Sequence, residues 1–206
     1  MATIYSLKPG FQKLLRPLVK RLEWMGVSPN QITIAALMLS IGAGTFVAHT
    51  RSSRALLLLP PVLFLRMALN AMDGMLAREG NQQSALGAIL NELGDVVSDI
   101  ALYLPLALLP GFAPQSVVAI VILSVLTEMT GVMGPGIGAS RRYDGPLGKS
   151  DRAFLFGLIA LLLGAGLPIA PAVPLTLFTI MALLAITITN RMGKMLQEVA
   201  RRGVVR

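Results

Sequence analysis

The chain has 206 residues, of which 54% are apolar and 14% are charged, and its net charge is +8. A mean hydropathy of +0.71 places it among integral membrane proteins, so its positive charge indicates membrane topology and lipid headgroups rather than nucleic-acid binding. The absence of cysteine excludes disulfides and thiol chemistry. Since the apolar segments leave room only for short loops, we expect a single domain, 1–206, with no soluble part.

Long uninterrupted apolar runs predict helices rather than the alternating strands of a closed barrel, because a spanning segment must satisfy its own backbone. At about 20 residues per span, the chain divides into six spans, at about 30–50, 55–78, 84–109, 115–136, 153–169 and 173–192. The expected fold class is therefore an all-α integral membrane protein with six transmembrane helices.

Residues 5–25 precede the first span and have a different pattern. Apolar residues recur there at helical spacing, with Lys13, Lys20 and Arg21 between them, which is typical of an amphipathic helix in the headgroup layer. The alternative is a tail with some helical propensity. Ser28-Pro29-Asn30 then supplies a cap and a first-turn proline for the next helix.

The basic residues also predict an orientation. They concentrate in the N-terminal segment, the 78–84 turn, the 139–152 loop and the tail, whereas the opposite turns hold little besides Arg51 and Arg54. By the positive-inside rule, both termini are cytoplasmic.

Residues 70–99 bring an unusual number of polar side chains into this apolar chain. On the second span these side chains are Arg66, Asn70 and Asp73, which fall within about 60° of one another around the helix axis. The third span has a second polar face, made of Asn91 and Asp95 with Glu92 and Asp99 beside them. The turn at Gln82-Gln83-Ser84 makes the two helices antiparallel neighbours, so we expect their polar faces to meet.

The carboxylates in this stretch need compensation, because acidic groups at membrane depth are costly; they are Asp73, Glu92, Asp95 and Asp99. Crowded carboxylates protonate, pair or bind cations, and oxygen ligands favour Mg²⁺ or Mn²⁺. Asp73 lies roughly 8 Å from the cytoplasmic end of its span and Asp95 roughly 16 Å along the next, within reach of a lipid headgroup. The alternative is a polar network that only holds the helices together.

The spacing of these residues resembles the signature of the CDP-alcohol phosphatidyltransferase family, D-x2-D-G-x2-A-R-x8-G-x3-D-x3-D. The chain reads Asn70-x2-Asp73-Gly74-x2-Ala77-Arg78-x8-Gly87-x3-Asn91-x3-Asp95. Every spacing matches, and the runs RMALNAMDGMLARE, GAILNELGDV and GPLGKSDRA resemble the YnbA-like branch of that family. The departure is that Asn70 and Asn91 stand where the family has its first and third aspartates.

The resemblance implies an active site with one or two Mg²⁺ or Mn²⁺ ions. In the family the first three aspartates chiefly hold two metals and the fourth is the proposed general base, which is Asp95 here. The implied metal ligands are Asn70, Asp73, Asn91 and Asp95, with Glu92 and Asp99 as candidates for the missing charge. Asparagine offers a carbonyl oxygen but no charge, so the resemblance predicts a less negative site.

The resemblance also implies the substrates. The implied donor is a CDP-diacylglycerol-type lipid. Its implied contacts are an acidic residue, three small residues and a basic residue: Asp73, Gly74, Ala77, Gly87 and Arg78. A small alcohol acceptor, such as glycerol 3-phosphate or an inositol phosphate, would have its phosphate held by Arg141, Lys149 and Arg152. The alternative for these three is charge that only sets topology.

The implied activity is transfer of a phosphatidyl group to an alcohol with release of CMP, in phospholipid biosynthesis. The resemblance further implies an inner-membrane location and a homodimer. Two alternatives remain: a catalytically silent relative that binds CDP-lipid or supports a partner enzyme, and a small transporter that uses the acids as a cation site. The second lacks the inverted half-repeat of many transporters.

Overall fold

A computed structural model describes residues 8–203, and within that range the chain is helical with no strands. The seven α-helices are α1 Lys8–Trp24, α2 Pro29–Thr50, α3 Leu59–Glu79, α4 Ala85–Tyr103, α5 Pro114–Met133, α6 Lys149–Gly164 and α7 Val173–Arg202. Short 3-10 segments join several of them, at Ser53–Leu58, Leu104–Leu108, Gly134–Ile137 and Ala170–Ala172. Residues 5–7 of the predicted interfacial helix lie outside the described range.

Four helical segments are long and apolar enough to cross a membrane: Pro29–Thr50, Ser53–Glu79, Pro114–Ile137 and Ala170–Arg202. This finding confirms an all-helical, multi-pass membrane protein. The other two predicted spans differ in composition or length, since α4 carries three carboxylates and α6 has only 16 residues.

Capping side chains and prolines set the ends of the helices more closely than the limits of the apolar runs do. Ser28 caps α2 as predicted, because its Oγ accepts from the Gln31 amide at 3.3 Å while the Gln31 side chain accepts from the Ser28 amide at 2.8 Å. The helix α4 ends at Tyr103 rather than near residue 109, because Pro105 has no amide hydrogen to donate.

Two further boundaries differ from the predicted spans. α6 begins at Lys149 instead of 153, because the Asp151 carboxylate accepts from the Gly148 amide at 2.9 Å and stabilises the first turn. α7 continues ten residues beyond 192 to Arg202. At 1.5 Å per residue its 30 residues exceed the roughly 30 Å of a hydrocarbon core.

α2 lies between α3 and α4 and sets their spacing. Gly44 allows the closest approach, since a Cβ built on it would lie 1.8 Å from the backbone oxygen of Ala101 in α4. On the other side, α1 packs on α3, where Val19 joins Met72, Met75 and Leu76 in a buried cluster. The positions of α3 and α4, which carry the polar motif, are therefore fixed by α2.

The Gly44 contact gives a testable prediction. Gly44→Ala should lower the free energy of unfolding by about 1–3 kcal/mol, because the added methyl meets backbone and α2 must shift from α4. Thermal unfolding in detergent measures the change. Gly42→Ala is the matched control, since a Cβ there meets nothing within 4 Å. Equal stability of the two variants would contradict the expected clash.

Candidate active site

The polar faces of α3 and α4 meet at Asn70 and Asp95. The Asn70 Nδ2 donates to Asp95 Oδ1 at 2.7 Å, and the ammonium of Lys149, at the start of α6, forms an ion pair with the same oxygen. Arg66 adds a hydrogen bond to the backbone oxygen of Asp95 at 2.9 Å. The Asp95 carboxylate thus has an amide and two cations around it, and 20% of its side chain is exposed.

Asp73 lies one turn beyond Asn70 on α3 and is buried. The Thr33 hydroxyl of α2 donates to Asp73 Oδ2 at 2.7 Å, which fixes the carboxylate toward α2. Asn91 lies one turn before Asp95 on α4 and is partly buried. The motif positions on the two helices therefore line one partly accessible site.

Asp99 lies deeper and binds two arginines. The Arg66 Nη1 donates to Asp99 Oδ1 and the Arg152 Nη2 donates to Asp99 Oδ2 at 2.8 Å. Only 5% of Asp99 is exposed. Since both oxygens accept from guanidinium groups, Asp99 serves to hold these arginines.

Arg152 is fully buried and joins α4, α5 and α6. In addition to Asp99, its guanidinium donates to Glu128 Oε1 at 2.9 Å and to Thr127 Oγ1 at 3.2 Å, both on α5. Arg191 of α7 lies on the other side, 4.0 Å from Glu128 Oε2, and donates to the backbone oxygen of Thr127. Arg152 and its partners form a buried network beneath the site.

Glu92 and Arg141 form an ion pair at the rim of the site. The two terminal nitrogens of Arg141 contact the two carboxylate oxygens of Glu92, the second pair at 2.8 Å. The guanidinium also lies 4.9 Å from the centre of the Tyr143 ring. With 31% and 26% of their side chains exposed, the two groups remain accessible.

The 139–148 loop that carries Arg141 is fastened to α5 and α7. Ser140 and Arg142 both bind the Glu198 carboxylate, and the Arg142 amide donates to the Gly131 oxygen at 3.1 Å. Burial raises the pKa of Asp144, but its hydrogen bond and charge pairing with Lys194 outweigh that effect and hold the pKa below its ordinary value. These contacts position the loop over α4.

The small residues of the motif lie where close approaches occur. A Cβ on Gly74 would lie 3.3 Å from Arg78 Nη1, so the Arg78 guanidinium, exposed at the end of α3, lies against the Gly74 backbone. Gly87 leaves room for Asn30, whose Oδ1 would lie 2.9 Å from an added Cβ. Ala77 is partly buried beside them. The two glycines therefore allow the Arg78 and Asn30 side chains to lie against the helix backbone.

The donor set fits one divalent cation better than two. At the four motif positions it contains two carboxylates, Asp73 and Asp95, and two neutral carboxamides, while Lys149 already contributes positive charge. Among residues 8–203, no three histidine, cysteine or acidic side chains converge to hold a metal by themselves. A cation here would need oxygen ligands from a substrate to complete its shell.

Two residues of the site had only weak signals in the sequence. Thr33 lies in an apolar helix, where nothing but its position four residues after Pro29 distinguishes it. Arg191 falls within the predicted last span, and an arginine at membrane depth is itself a signal of a polar partner. Glu128, a carboxylate within the predicted span 115–136, binds Arg152 and comes within 4.0 Å of Arg191.

A family model described as CDP-alcohol phosphatidyltransferase matches residues 26–197. The chain belongs to this family. Escherichia coli (strain K12) inner membrane protein YnbA is 53% identical over 156 residues, which are 76% of this chain and 78% of that protein. The resemblance to the YnbA-like branch is thereby confirmed, and with the apolar helices it indicates a multi-pass inner-membrane protein.

More distant phosphatidyltransferases share the fold. A phosphatidylinositol phosphate synthase of Corynebacterium glutamicum is 27% identical over 176 residues, 82% of this chain and 78% of that one. The Mycobacterium tuberculosis phosphatidylinositol phosphate synthase with CDP-DAG bound has a TM-score of 0.72 at 20% identity, covering 91% of this chain and 94% of its own. The structure of the same synthase in complex with manganese and citrate has a TM-score of 0.73 at 19% identity, and the match covers 87% of this chain and 88% of that one.

Proposed function

We propose that the protein transfers a phosphatidyl group from a CDP-linked lipid to the hydroxyl of an alcohol and releases CMP. The observation that carries the proposal is the meeting of Asn70, Asp95 and Lys149 beside Asp73, at the motif positions of two facing helices. The M. tuberculosis relative binds CDP-DAG on the same fold. We take a CDP-diacylglycerol-type lipid as the donor.

In this proposal the acceptor oxygen attacks the lipid-side phosphorus, the bond from that phosphorus to the CMP oxygen breaks, and the acceptor proton goes to Asp95. Asp95 suits the role of general base because its carboxylate is held in place by Asn70 and Lys149 and remains partly exposed. Lys149 and Arg66 supply positive charge beside the position of the diphosphate, where negative charge develops.

The donor nucleotide would lie against Gly74, Ala77 and Gly87, with Arg78 contacting its phosphates. Asp73, Asp95 and the amide oxygens of Asn70 and Asn91 would hold one Mg²⁺ or Mn²⁺. When bound, that ion neutralises charge on the diphosphate and on the leaving CMP. Asp99 and Glu92 are already bound by arginines, so we place them outside the metal shell.

We also propose the membrane topology. All six predicted spans cross the membrane, including α4 and α6, whose carboxylates and arginine pair with each other inside the bundle. Both termini are cytoplasmic, α1 borders the headgroup layer, and the protein is a homodimer. The active site then opens toward the cytoplasm, where a soluble acceptor and CMP are accessible.

A second candidate function is a silent relative that binds CDP-lipid without turning it over. The observation in its favour is the pair of carboxamides, Asn70 and Asn91, at positions where the family signature has carboxylates. The site therefore has two negative charges fewer than the family signature, so it binds a cation weakly until the oxygens of the diphosphate complete the shell.

One assay separates these functions. Purified protein with CDP-diacylglycerol, Mg²⁺ or Mn²⁺ and a panel of alcohols should release CMP, and the Asn70→Asp/Asn91→Asp double variant should lower the Mn²⁺ concentration needed for half-maximal release at least tenfold, because it restores two charges. Asp144→Asn, which changes a loop carboxylate, should leave that concentration unchanged. Absence of CMP from both the natural protein and the double variant would favour the binding role.

A further inference from the structure

Each basic side chain expected to hold an acceptor phosphate already has a carboxylate partner. Arg141 pairs with Glu92, Lys149 pairs with Asp95, and Arg152 pairs with two carboxylates, as described above. Arg142 of the neighbouring loop and Lys194 of α7 are matched in the same way, since Arg142 binds Glu198 and Lys194 binds Asp144. The acceptor side of the site therefore has little net positive charge to offer.

Arg152 is also out of reach. Its side chain is 0% exposed, and it is enclosed by Asp99, Glu128 and Thr127. An anion arriving from the cytoplasm would have to remove Arg152 from Asp99 and Glu128, which would leave Asp99 with Arg66 alone and Glu128 with only Arg191, at 4.0 Å. The residue is thus part of the network that supports the site and is not a ligand at its surface.

Arg141 and Lys149 are accessible, but a phosphate would meet their acidic partners at the same time. Glu92 contacts both terminal nitrogens of Arg141, the edge through which a guanidinium binds a phosphate in bidentate fashion. A phosphate dianion at Arg141 would be repelled by the Glu92 carboxylate. Hydroxyl groups have no such conflict, because they donate to Glu92 and accept from Arg141.

We propose that the acceptor is an uncharged polyhydroxyl alcohol whose hydroxyls bind the Glu92–Arg141 pair. This inference rests on the proposed phosphatidyl transfer and names the acceptor class for it. One hydroxyl contacts the pair at the rim while a second reaches Asp95 and becomes the nucleophile. Glu92 is then a specificity-determining residue, because its charge excludes phosphorylated acceptors.

The first test compares matched acceptors. The full-length protein in detergent, with CDP-diacylglycerol and Mn²⁺, is given glycerol or glycerol 3-phosphate, and in a second pair inositol or inositol 1-phosphate. CMP release should be at least tenfold faster with the unphosphorylated member of the preferred pair. Faster release with the phosphorylated member would overturn the acceptor proposal while leaving phosphatidyl transfer intact.

The second test changes the charge at the rim. Glu92→Gln removes the carboxylate partner of Arg141, so the rate with the phosphorylated acceptor relative to its unphosphorylated partner should rise at least tenfold. Glu79→Gln is the matched control, because it removes the carboxylate partner of Arg16 on the α1 side of α3, away from the 139–148 loop, and should leave the ratio unchanged. An unchanged ratio in Glu92→Gln would overturn the assignment of Glu92.

Failure of the proposed function has a different signature, which is the absence of CMP with every acceptor. In that case the thermal unfolding midpoint, measured with CMP present and inorganic phosphate added, still tests the acceptor side. A midpoint unchanged by phosphate in the natural protein but raised in Glu92→Gln would support a site that rejects anions. A rise in the natural protein would overturn it.

Discussion

Replacing Asp95 by Asn should lower the rate of CMP release by about 10²–10⁴-fold, which is the usual contribution of a general base. The amide has nearly the same shape and still accepts a hydrogen bond from Asn70, but it cannot take the acceptor proton. The measurement is CMP release at saturating CDP-diacylglycerol and acceptor, together with the unfolding temperature. We expect the fold to persist, because Arg66 also binds the backbone oxygen of residue 95.

Asp144→Asn is the matched control for this prediction. It makes the same chemical change in a loop carboxylate that pairs with Lys194 and Arg142, away from the motif. We expect its CMP release to stay within about twofold of the natural protein, since exposed ion pairs contribute little. If Asp95→Asn kept more than a tenth of the natural rate, another group would have to accept the proton.

Replacing Arg152 by Met should destabilise the protein by about 3–5 kcal/mol, the cost of removing one partner from a buried ion pair. Methionine fills much of the same space, so the loss comes from charge rather than from a cavity. Asp99 would keep Arg66, whereas Glu128 would keep only Arg191 at 4.0 Å. Chemical or thermal unfolding in detergent micelles measures the change.

Two comparisons make the Arg152 prediction specific. Arg201→Met, on the exposed last turn of α7, should change stability by less than about 0.5 kcal/mol. Adding Glu128→Gln to Arg152→Met should recover part of the loss, because it removes the carboxylate that is left with only a 4.0 Å ion pair. A fully stable Arg152→Met would mean that the buried acids are satisfied without the guanidinium.

The meeting of α3 and α4 could be predicted because it depends on local rules. Helical periodicity put Asn70 and Asp73 on one face, the short turn after Glu79 made the helices antiparallel, and the structure joins Asn70 to Asp95 at 2.7 Å. The direction of the amide was not predictable. The structure adds that the Asn70 nitrogen donates to the Asp95 oxygen that Lys149 also contacts, while the Asn70 carbonyl oxygen stays available as a ligand.

The partners of Arg152 could not be predicted from the sequence, because they come from helices far along the chain. Its position before an apolar run suggested a cation at the cytoplasmic surface, whereas α6 packs against α3 and the Arg152 side chain reaches Glu128 and Thr127 of α5, where it is completely buried. The same limit applies to Glu92, which the spacing placed near Asp95. Only the path of the 139–148 loop, fastened by Glu198, brings Arg141 to it.

The buried Arg152 network also constrains how the protein is made. Synthesis proceeds from the N-terminus, so Asp99 can pair with Arg66 as soon as α3 and α4 have been made. Glu128 in α5 has no guanidinium partner until α6 and α7 bring Arg152 and Arg191. An unpaired carboxylate in an apolar span is costly, so α5 obtains its compensating charge only after α6 has been synthesised. Chains that end before α6 should therefore be targets for membrane quality control.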